Sequence, residues 1–160
     1  MVTGHLSLVL IIPHGAPAAP QLAPKDEQAD AIRVFKSTRR MQLLRNGKVL
    51  HSYHIALGDT LVGHKRQQGD ERTAEGEYRI TYRNAQSRFH LSLRVSYPNQ
   101  ADRAQARKRG VDPGGDIMLH GRMPPGYTGD WTDGCIAVTN AQIEEIWRLV
   151  PIGTPIRINP

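Results

Sequence analysis

Short stretches in which apolar and polar residues alternate dominate the chain from residue 31 onward. This period of two predicts β-strands that bury one face. Between two such stretches stands Asn46-Gly47, a dipeptide typical of the two-residue turn of a β-hairpin. Residues 61–76 are polar and interrupted by glycine, so they predict a loop. The predicted strands are 32–36, 41–45, 49–57, 77–82, 91–96, 116–119, 136–138 and 155–158.

Two segments carry helical signals instead. Residues 99–109 begin at Asn99, a good N-cap, and consist mostly of Arg, Lys, Gln and Ala, which predicts a solvated surface helix. A second helix begins at Thr139, where Thr139 and Gln142 have capping-box spacing, and it ends at Pro151. Its apolar residues recur at i, i+3, i+4 and i+7, which predicts one buried face: Ile143, Ile146, Trp147 and Val150. We therefore expect a mainly β fold, a β-sandwich or barrel-like domain with one or two short helices.

The first 24 residues differ in composition from the rest. Their apolar run at 6–12 is far shorter than the ~20 residues that span a bilayer. Small residues typical of a signal-peptide cleavage site follow the run: Ala16, Ala18 and Ala19. No Lys or Arg precedes it, so an ordinary strand is the alternative. We predict a signal-like leader and Pro/Ala linker over 1–24, one folded domain over 31–159, export to the periplasm or the cell-wall side, and no stable membrane span.

The charge balance narrows the choice of partner only slightly. Lys and Arg number 21 against 15 Asp and Glu, so the net charge is +6. That excess favours anionic surroundings, and nucleic acid, anionic lipid and the acidic bacterial wall all qualify. Aromatic residues make up only 6% of the chain, and no basic run is interleaved with them. We therefore predict no nucleic-acid partner.

Cys135 is the only cysteine in the chain, so it forms no intramolecular disulfide. A thiol attacks well only as the thiolate, which requires a nearby base. His120 follows an apolar strand and precedes Gly121, and the loop that separates it from Cys135 is long enough to fold back. Gly134 has no Cβ, so the backbone there can turn tightly and present amide donors to an oxyanion.

Two other roles remain open for these residues on spacing alone. A lone cysteine is most often a small buried hydrophobe without chemistry. His120, Asp133 and Cys135 are also possible metal ligands, but the chain lacks a CxxC or HxxxH pair. We therefore predict neither a metal nor any other cofactor.

The stretch IMLHGRMPPGYTGDWTDGCIAVTNAQIEEIW resembles the active-site signature of the L,D-transpeptidase catalytic domain, also called the YkuD domain. That signature is His-Gly, a loop, then Ser/Thr-His-Gly-Cys and an apolar residue. TAEGEYRI at 73–80 and SYPN at 96–99 are similar to further segments of the family, so the resemblance covers roughly 31–159. The matching positions are His120, Gly121, Thr132, Gly134, Cys135 and Ile136.

The chain departs from the family pattern in two places. Asp133 stands where most members have histidine, and the loop between His120 and Thr132 is shorter than usual. The strings DWTDGCIAVTN and FHLSLRVSYPN are similar to the branch that includes the proteobacterial enzymes that detach the outer-membrane lipoprotein from peptidoglycan. An aspartate before Gly-Cys is usual in that branch, so Asp133 is compatible with activity.

The resemblance implies cysteine-dependent acyl transfer or hydrolysis at the meso-diaminopimelate of peptidoglycan stem peptides, through a thioester on Cys135. His120 is then the general base and acid, the Gly121 backbone orients its imidazole, and amides near Gly134 hold the oxyanion. The implied partners are stem peptides and a wall-linked lipoprotein. The alternative is a catalytically inactive peptidoglycan-binding domain of the same fold.

Further side chains are weaker candidates for contact with the substrate. Asp133 is expected to bind a substrate ammonium, and Arg122 a substrate carboxylate. His90 is expected to line the substrate groove. Two aromatic residues are expected to wall it: Trp131 and Tyr127. The remaining histidines are expected to be surface groups: His51, His54 and His64.

Overall fold

The computed structural model describes residues 18–160, which form one curled sheet with two α-helices. The strands are β1 (Ala31–Phe35), β2 (Arg40–Arg45), β3 (Lys48–His54), β4 (Gly76–Ser87), β5 (His90–Val95), β6 (Met118–His120), β7 (Ile136–Ala137) and β8 (Pro155–Asn159). The helices are α1 (Gln100–Arg109) and α2 (Asn140–Leu149), and a 3₁₀ turn spans Lys25–Glu27. The strand order is β3-β2-β1-β8-β4-β5-β6-β7. The expected mainly β class with two short helices is confirmed.

The sheet is mixed, because β1 pairs with β8 in parallel and β6 pairs with β7 in parallel, while the other neighbours are antiparallel. The alternation in β1 buries Ile32 and Val34, as a strand with one buried face requires. The β2–β3 turn contains Asn46 and Gly47, both with positive φ (50° and 76°). Asparagine and glycine adopt that conformation most readily, which explains the hairpin.

Strand β4 is longer than its sequence pattern suggests. The predicted strand covers 77–82, whereas the observed strand covers Gly76–Ser87. Its first part pairs with β8 and its second part with β5. The backbone of the strand therefore has hydrogen-bond partners, although most of the later side chains are exposed. The alternation of apolar residues does not predict such a segment, because the segment buries few apolar residues.

Helix α2 buries the predicted face over the core. Ile143, Ile146 and Trp147 are buried, and the helix packs against β5. The capping box is present: Gln142 N donates to Thr139 Oγ1 at 3.2 Å, and Thr139 N donates to Gln142 Oε1 at 3.0 Å. Helix α1 buries only Ala106, as a solvated surface helix should.

Lys36 extends the inward alternation of β1 and is 2% exposed. Its ammonium donates to Gly63 O at 2.8 Å and to Thr73 O at 2.9 Å, and lies 3.6 Å from Glu75 Oε2. These contacts attach the loop that precedes β4 to the end of β1. Burial lowers the pKa of Lys36, against the opposing effect of Glu75.

Most of the predicted leader, residues 1–17, lies outside the described residues. Residues 18–24, assigned to the linker from sequence, lie against α2. Trp147 Nε1 donates to Pro20 O at 2.9 Å, and Ala23 N donates to Arg148 O at 2.8 Å. Across residues 18–160, no helix has the length and apolar character needed to cross a membrane.

The packing of α2 predicts the effect of truncating its buried face. Ile146→Ala should lower the free energy of unfolding by about 2–5 kcal/mol, because it leaves a cavity in the core. Ile152→Ala is the matched control, since that side chain is 58% exposed and should change stability by less than about 0.5 kcal/mol. Urea denaturation of both variants measures the difference. Equal losses would contradict the packing described.

Candidate active site

Two short parallel strands bring His120 and Cys135 into one cleft. His120 is the last residue of β6, and Cys135 directly precedes β7. The two strands pair through Leu119 with Ile136 and through His120 with Ala137. The loop between them therefore folds back, as the sequence led us to expect. Both side chains line a cleft of about 910 Å³.

The imidazole of His120 is buried and held in one orientation. Its Nδ1 lies 2.7 Å from Gly121 O, and since a carbonyl only accepts, we assign the proton to Nδ1. Nε2 then keeps its lone pair. The Phe89 ring stacks on the imidazole with centroids 4.1 Å apart, and Trp131 meets it edge-on at 5.9 Å. Burial lowers the pKa of His120, against the Gly121 hydrogen bond, so the ring is neutral at pH 7.

The Cys135 thiol rests on backbone groups of the neighbouring segment. Sγ donates to Asp116 O at 3.3 Å and accepts from Met118 N at 3.4 Å. Burial raises the pKa of Cys135; Met118 N lowers it, and the Asp133 and Asp116 carboxylates raise it. The resting thiol is therefore protonated at neutral pH. No hydrogen bond joins Sγ to His120 in the described part of the chain.

Thr132 closes the turn that presents Cys135. Its hydroxyl donates to Cys135 O at 2.6 Å and accepts from Gly134 N at 3.2 Å. Gly134 has a φ of +132°, and a Cβ there would lie 2.6 Å from Arg72 O, so only glycine fits. Its N–H is thus occupied by Thr132, contrary to the expectation that it is available to an oxyanion. The Cys135 N–H has no hydrogen-bond partner within 18–160 and remains as a donor beside the thiol.

The structure divides the weaker candidates into two groups. Trp131 and Asp133 line the cleft, whereas His90 and Arg122 are not among its lining residues. His90 Nε2 instead lies 2.8 Å from Glu144 Oε1 on α2, so the expectation that it lines the groove is corrected. Arg122 is exposed, and its backbone N–H donates to Asn140 Oδ1 at 2.8 Å.

The histidines assigned to the surface also differ among themselves. His51 is partly exposed beside Glu145, and His54 is exposed. His64 is corrected, because it is half-buried between two partners. Glu75 N donates to its Nδ1 at 2.7 Å, and its Nε2 lies 2.9 Å from Asp102 Oδ1.

Three residues near the thiol and imidazole were not identified from sequence: Lys65, Phe89 and Asp116. Lys65 is a lysine in a polar loop, and nothing in the local pattern signals its burial. Phe89 lies in the β4–β5 turn, beside the residue that sequence favoured, and its aromatic character was the available signal. Asp116 adopts a φ of +53°, which only the backbone reveals. Within residues 18–160, no three His, Cys, Asp or Glu side chains are grouped to hold a metal.

The tight backbone at Gly134 predicts a stability effect of adding one methyl group. Gly134→Ala should cost about 2–4 kcal/mol, because it combines a left-handed backbone with a clash against the Arg72 carbonyl. Gly126→Ala is the control, since φ is +73° there but no atom lies within 4 Å of the added Cβ. It should cost about 1 kcal/mol. Denaturation curves that coincide for the two variants would refute the proposed clash.

The resting thiol predicts the pH profile of alkylation. The rate with iodoacetamide should keep rising as pH passes 9.0, the usual value for the group, because the pKa of Cys135 is raised. Asp133→Asn should move the profile to lower pH, since a nearby anion is removed. Asp112→Asn, at another cleft carboxylate, should leave it unchanged. A plateau reached near pH 7 would indicate a thiolate–imidazolium pair instead.

Comparison with known proteins agrees with this geometry. The model of the L,D-transpeptidase catalytic domain, YkuD, matches residues 29–158. YafK of Escherichia coli K12, whose name places it provisionally among the L,D-transpeptidases, is 30% identical over 125 residues, which are 74% of this chain and 46% of YafK. The chain thus spans about half the length of this relative.

Solved structures show the same fold. The helical cell shape determining protein Pgp2 of Campylobacter jejuni has a TM-score of 0.64 at 22% identity, over 89% of this chain and 51% of that one. Bd1075 of Bdellovibrio bacteriovorus has a TM-score of 0.61 at 24% identity, over 88% and 51%. An L,D-transpeptidase of Xylanimonas cellulosilytica has a TM-score of 0.57 at 15% identity, over 90% and 64%. With the family model covering nearly the whole described chain, this protein belongs to the L,D-transpeptidase catalytic domain (YkuD) family.

Proposed function

We propose that this chain remodels or cross-links peptidoglycan by acyl transfer through a thioester on Cys135. The observation that carries the proposal is the placement of the single thiol and an orientated, neutral imidazole in one cleft of an L,D-transpeptidase domain. The substrate class follows from the family. The finer assignment, cleavage at the carbonyl of meso-diaminopimelate in a stem peptide, follows from the resemblance of the active-site motif.

The reaction begins with a proton transfer inside the cleft. Sγ leaves its contact with Asp116 O by rotation about the Cα–Cβ bond, and His120 Nε2 takes its proton. The sulfur attacks the substrate carbonyl carbon, and the carbonyl oxygen becomes an oxyanion. The Cys135 N–H is the donor placed to stabilise it, an interaction typically worth roughly 3–4 kcal/mol. The C–N bond then breaks, and His120 returns the proton to the leaving amine.

Burial keeps both groups neutral until the substrate arrives. A charge pair in a low-dielectric cleft is costly when nothing compensates it. One contact offsets part of that cost during the reaction, because the face of the Phe89 ring lies against the imidazole and favours the cation. The charged state is therefore formed only when the oxyanion and its donor also contribute.

The thioester is resolved by an amine or by water. Transfer to an amine gives a cross-link, and attack by water gives hydrolysis. Asp133 lines the cleft and is exposed, so its carboxylate can bind an ammonium at the entrance. A lipoprotein that is linked to the wall through an amine is one such partner. Location in the periplasm or at the cell-wall side belongs to the same proposal.

Replacement of the nucleophile tests the chemistry. Incubation of the wild-type protein with purified sacculi should give a covalent adduct on Cys135, and its mass identifies the donor. Cys135→Ala should lose the adduct and reduce product formation by at least about 10³-fold, because no thioester can form. His120→Gln should slow both steps strongly, whereas His54→Gln, at an exposed histidine outside the cleft, should behave as wild type.

The outcomes separate the remaining reactions. Addition of an amine acceptor should increase cross-linked product if the chain is a transpeptidase, and should leave products unchanged if it is a hydrolase. Binding of muropeptides without any adduct would support the catalytically inactive peptidoglycan-binding domain. Turnover by Cys135→Ala at the wild-type rate would sink the proposal of a cysteine nucleophile.

A further inference from the structure

The described residues bury two lysines, Lys36 and Lys65, at 2% and 3% exposure. Lysine is almost never fully buried unless its ammonium is paired, because the charge loses its hydration. An ammonium offers three N–H donors, and each needs a partner. Counting those partners distinguishes the two side chains.

Three groups of the protein surround the Lys36 ammonium. Two carbonyls accept its N–H groups, and the Glu75 carboxylate lies 3.6 Å away. The side chain is absent from the lining of the catalytic cleft. Its role is to attach the loop to β1.

Lys65 is different on both counts. It lines the cleft that holds Cys135 and His120. Its Nζ donates to Asp70 Oδ1 at 3.0 Å and to Gln67 O at 3.2 Å. No third acceptor is present in the described part of the chain. One donor of a buried cation therefore remains for a ligand.

The position of this ammonium is set by a rigid support. The Asp70 carboxylate also accepts from the backbone N–H groups of Arg66, Gln67 and Arg72, at 2.8, 3.1 and 3.2 Å. Burial would raise the pKa of Asp70, but these hydrogen bonds together with that of Lys65 hold it below its usual value. Asp70 thus stays charged and keeps the ammonium in place.

Lys65 is the buried cation among the charged side chains that line the cleft. The other ionisable side chains that line the cleft besides His120 and Cys135 are mostly acidic, with Arg88 as the other cation: Glu71, Asp112, Asp116 and Asp133. Arg88 is exposed, whereas Lys65 is buried and already ordered. Its charge also lowers the pKa of the Cys135 thiol, so the two groups are close enough to interact. An anion bound by Lys65 would therefore lie in the same cleft as Cys135.

We propose that Lys65 binds a carboxylate of the donor stem peptide and thereby selects the donor. The inference rests on the proposed function, since it names the group of that substrate which the cleft recognises. Two carboxylates flank the scissile bond of such a donor: the side-chain carboxylate of diaminopimelate and the terminal carboxylate of the residue after it. Both share the chemistry that a buried ammonium recognises.

Binding measured in the Cys135→Ala background tests the assignment without turnover. The probes are a stem peptide that ends in meso-diaminopimelate and D-alanine, and two derivatives in which one or the other carboxylate is amidated. Amidation of the recognised carboxylate should raise Kd roughly 10- to 100-fold, as expected for loss of a charge-assisted hydrogen bond. Lys65→Met should bind the unmodified peptide equally weakly, and amidation should then cost nothing more.

Two further variants separate recognition from folding. Lys36→Met, at the other buried lysine, should lower stability but keep the ratio of Kd values between acid and amide peptides. Lys65→Arg retains the cation beside Asp70 and should keep the preference for the carboxylate even if Lys65→Met fails to fold.

The test of carboxylate binding by Lys65 and the test of thioester formation on Cys135 can fail independently. Equal binding of all three peptides by the Cys135→Ala protein, or losses from Lys65→Met and amidation that simply multiply, would overturn the role of Lys65. A preference for the carboxylate that depends on Lys65, in a protein whose wild type forms no thioester, would uphold the binding site and reject the proposed reaction.

Discussion

The parallel pairing of β6 with β7 is the interaction on which the site depends. Both strands are short, and they are held by the bond from Val138 N to His120 O at 2.9 Å and by the bridge between Ala56 and Ala137. Because the pairing is parallel, the loop between the strands must cross back over the end of the sheet. That crossing carries Trp131 and Thr132 and delivers Cys135 beside the start of β6.

Burial makes an unpaired charge in the cleft costly, and the cleft meets this second constraint in two ways. His120 and Cys135 satisfy it by staying neutral, each with its proton donated to a backbone carbonyl. Lys65 and Asp70 satisfy it by pairing with each other, and three backbone N–H groups also donate to the Asp70 carboxylate. In the proposed reaction, the first arrangement lets charge form only when the substrate is bound. The second provides the permanent charge that we propose recognises a substrate carboxylate.

The errors at the site have one cause. The sequence favours His90 because it stands in the branch-like segment FHLSLRVSYPN, and Arg122 because it follows His120-Gly121. Both lie outside the cleft lining, and His90 pairs with Glu144. Phe89 and Lys65 were passed over, although both line the cleft. Whether a side chain faces the cleft depends on how the β4–β5 turn and the loop before β4 pack. Neither arrangement leaves a periodic trace in the sequence.

The mainly β class, the capped helix over the core and the Asn46-Gly47 turn could all be predicted from the sequence, as could the candidate thiol and imidazole. These features depend on local propensity, on periodicity and on a motif of contiguous residues. The tertiary structure alone decided that Thr132 occupies the Gly134 N–H, that the thiol rests on Asp116 O, and that Lys65 is buried with a donor to spare. Each of these rests on contacts across the fold or within a turn whose geometry depends on it, and such contacts arise only when the sheet has closed.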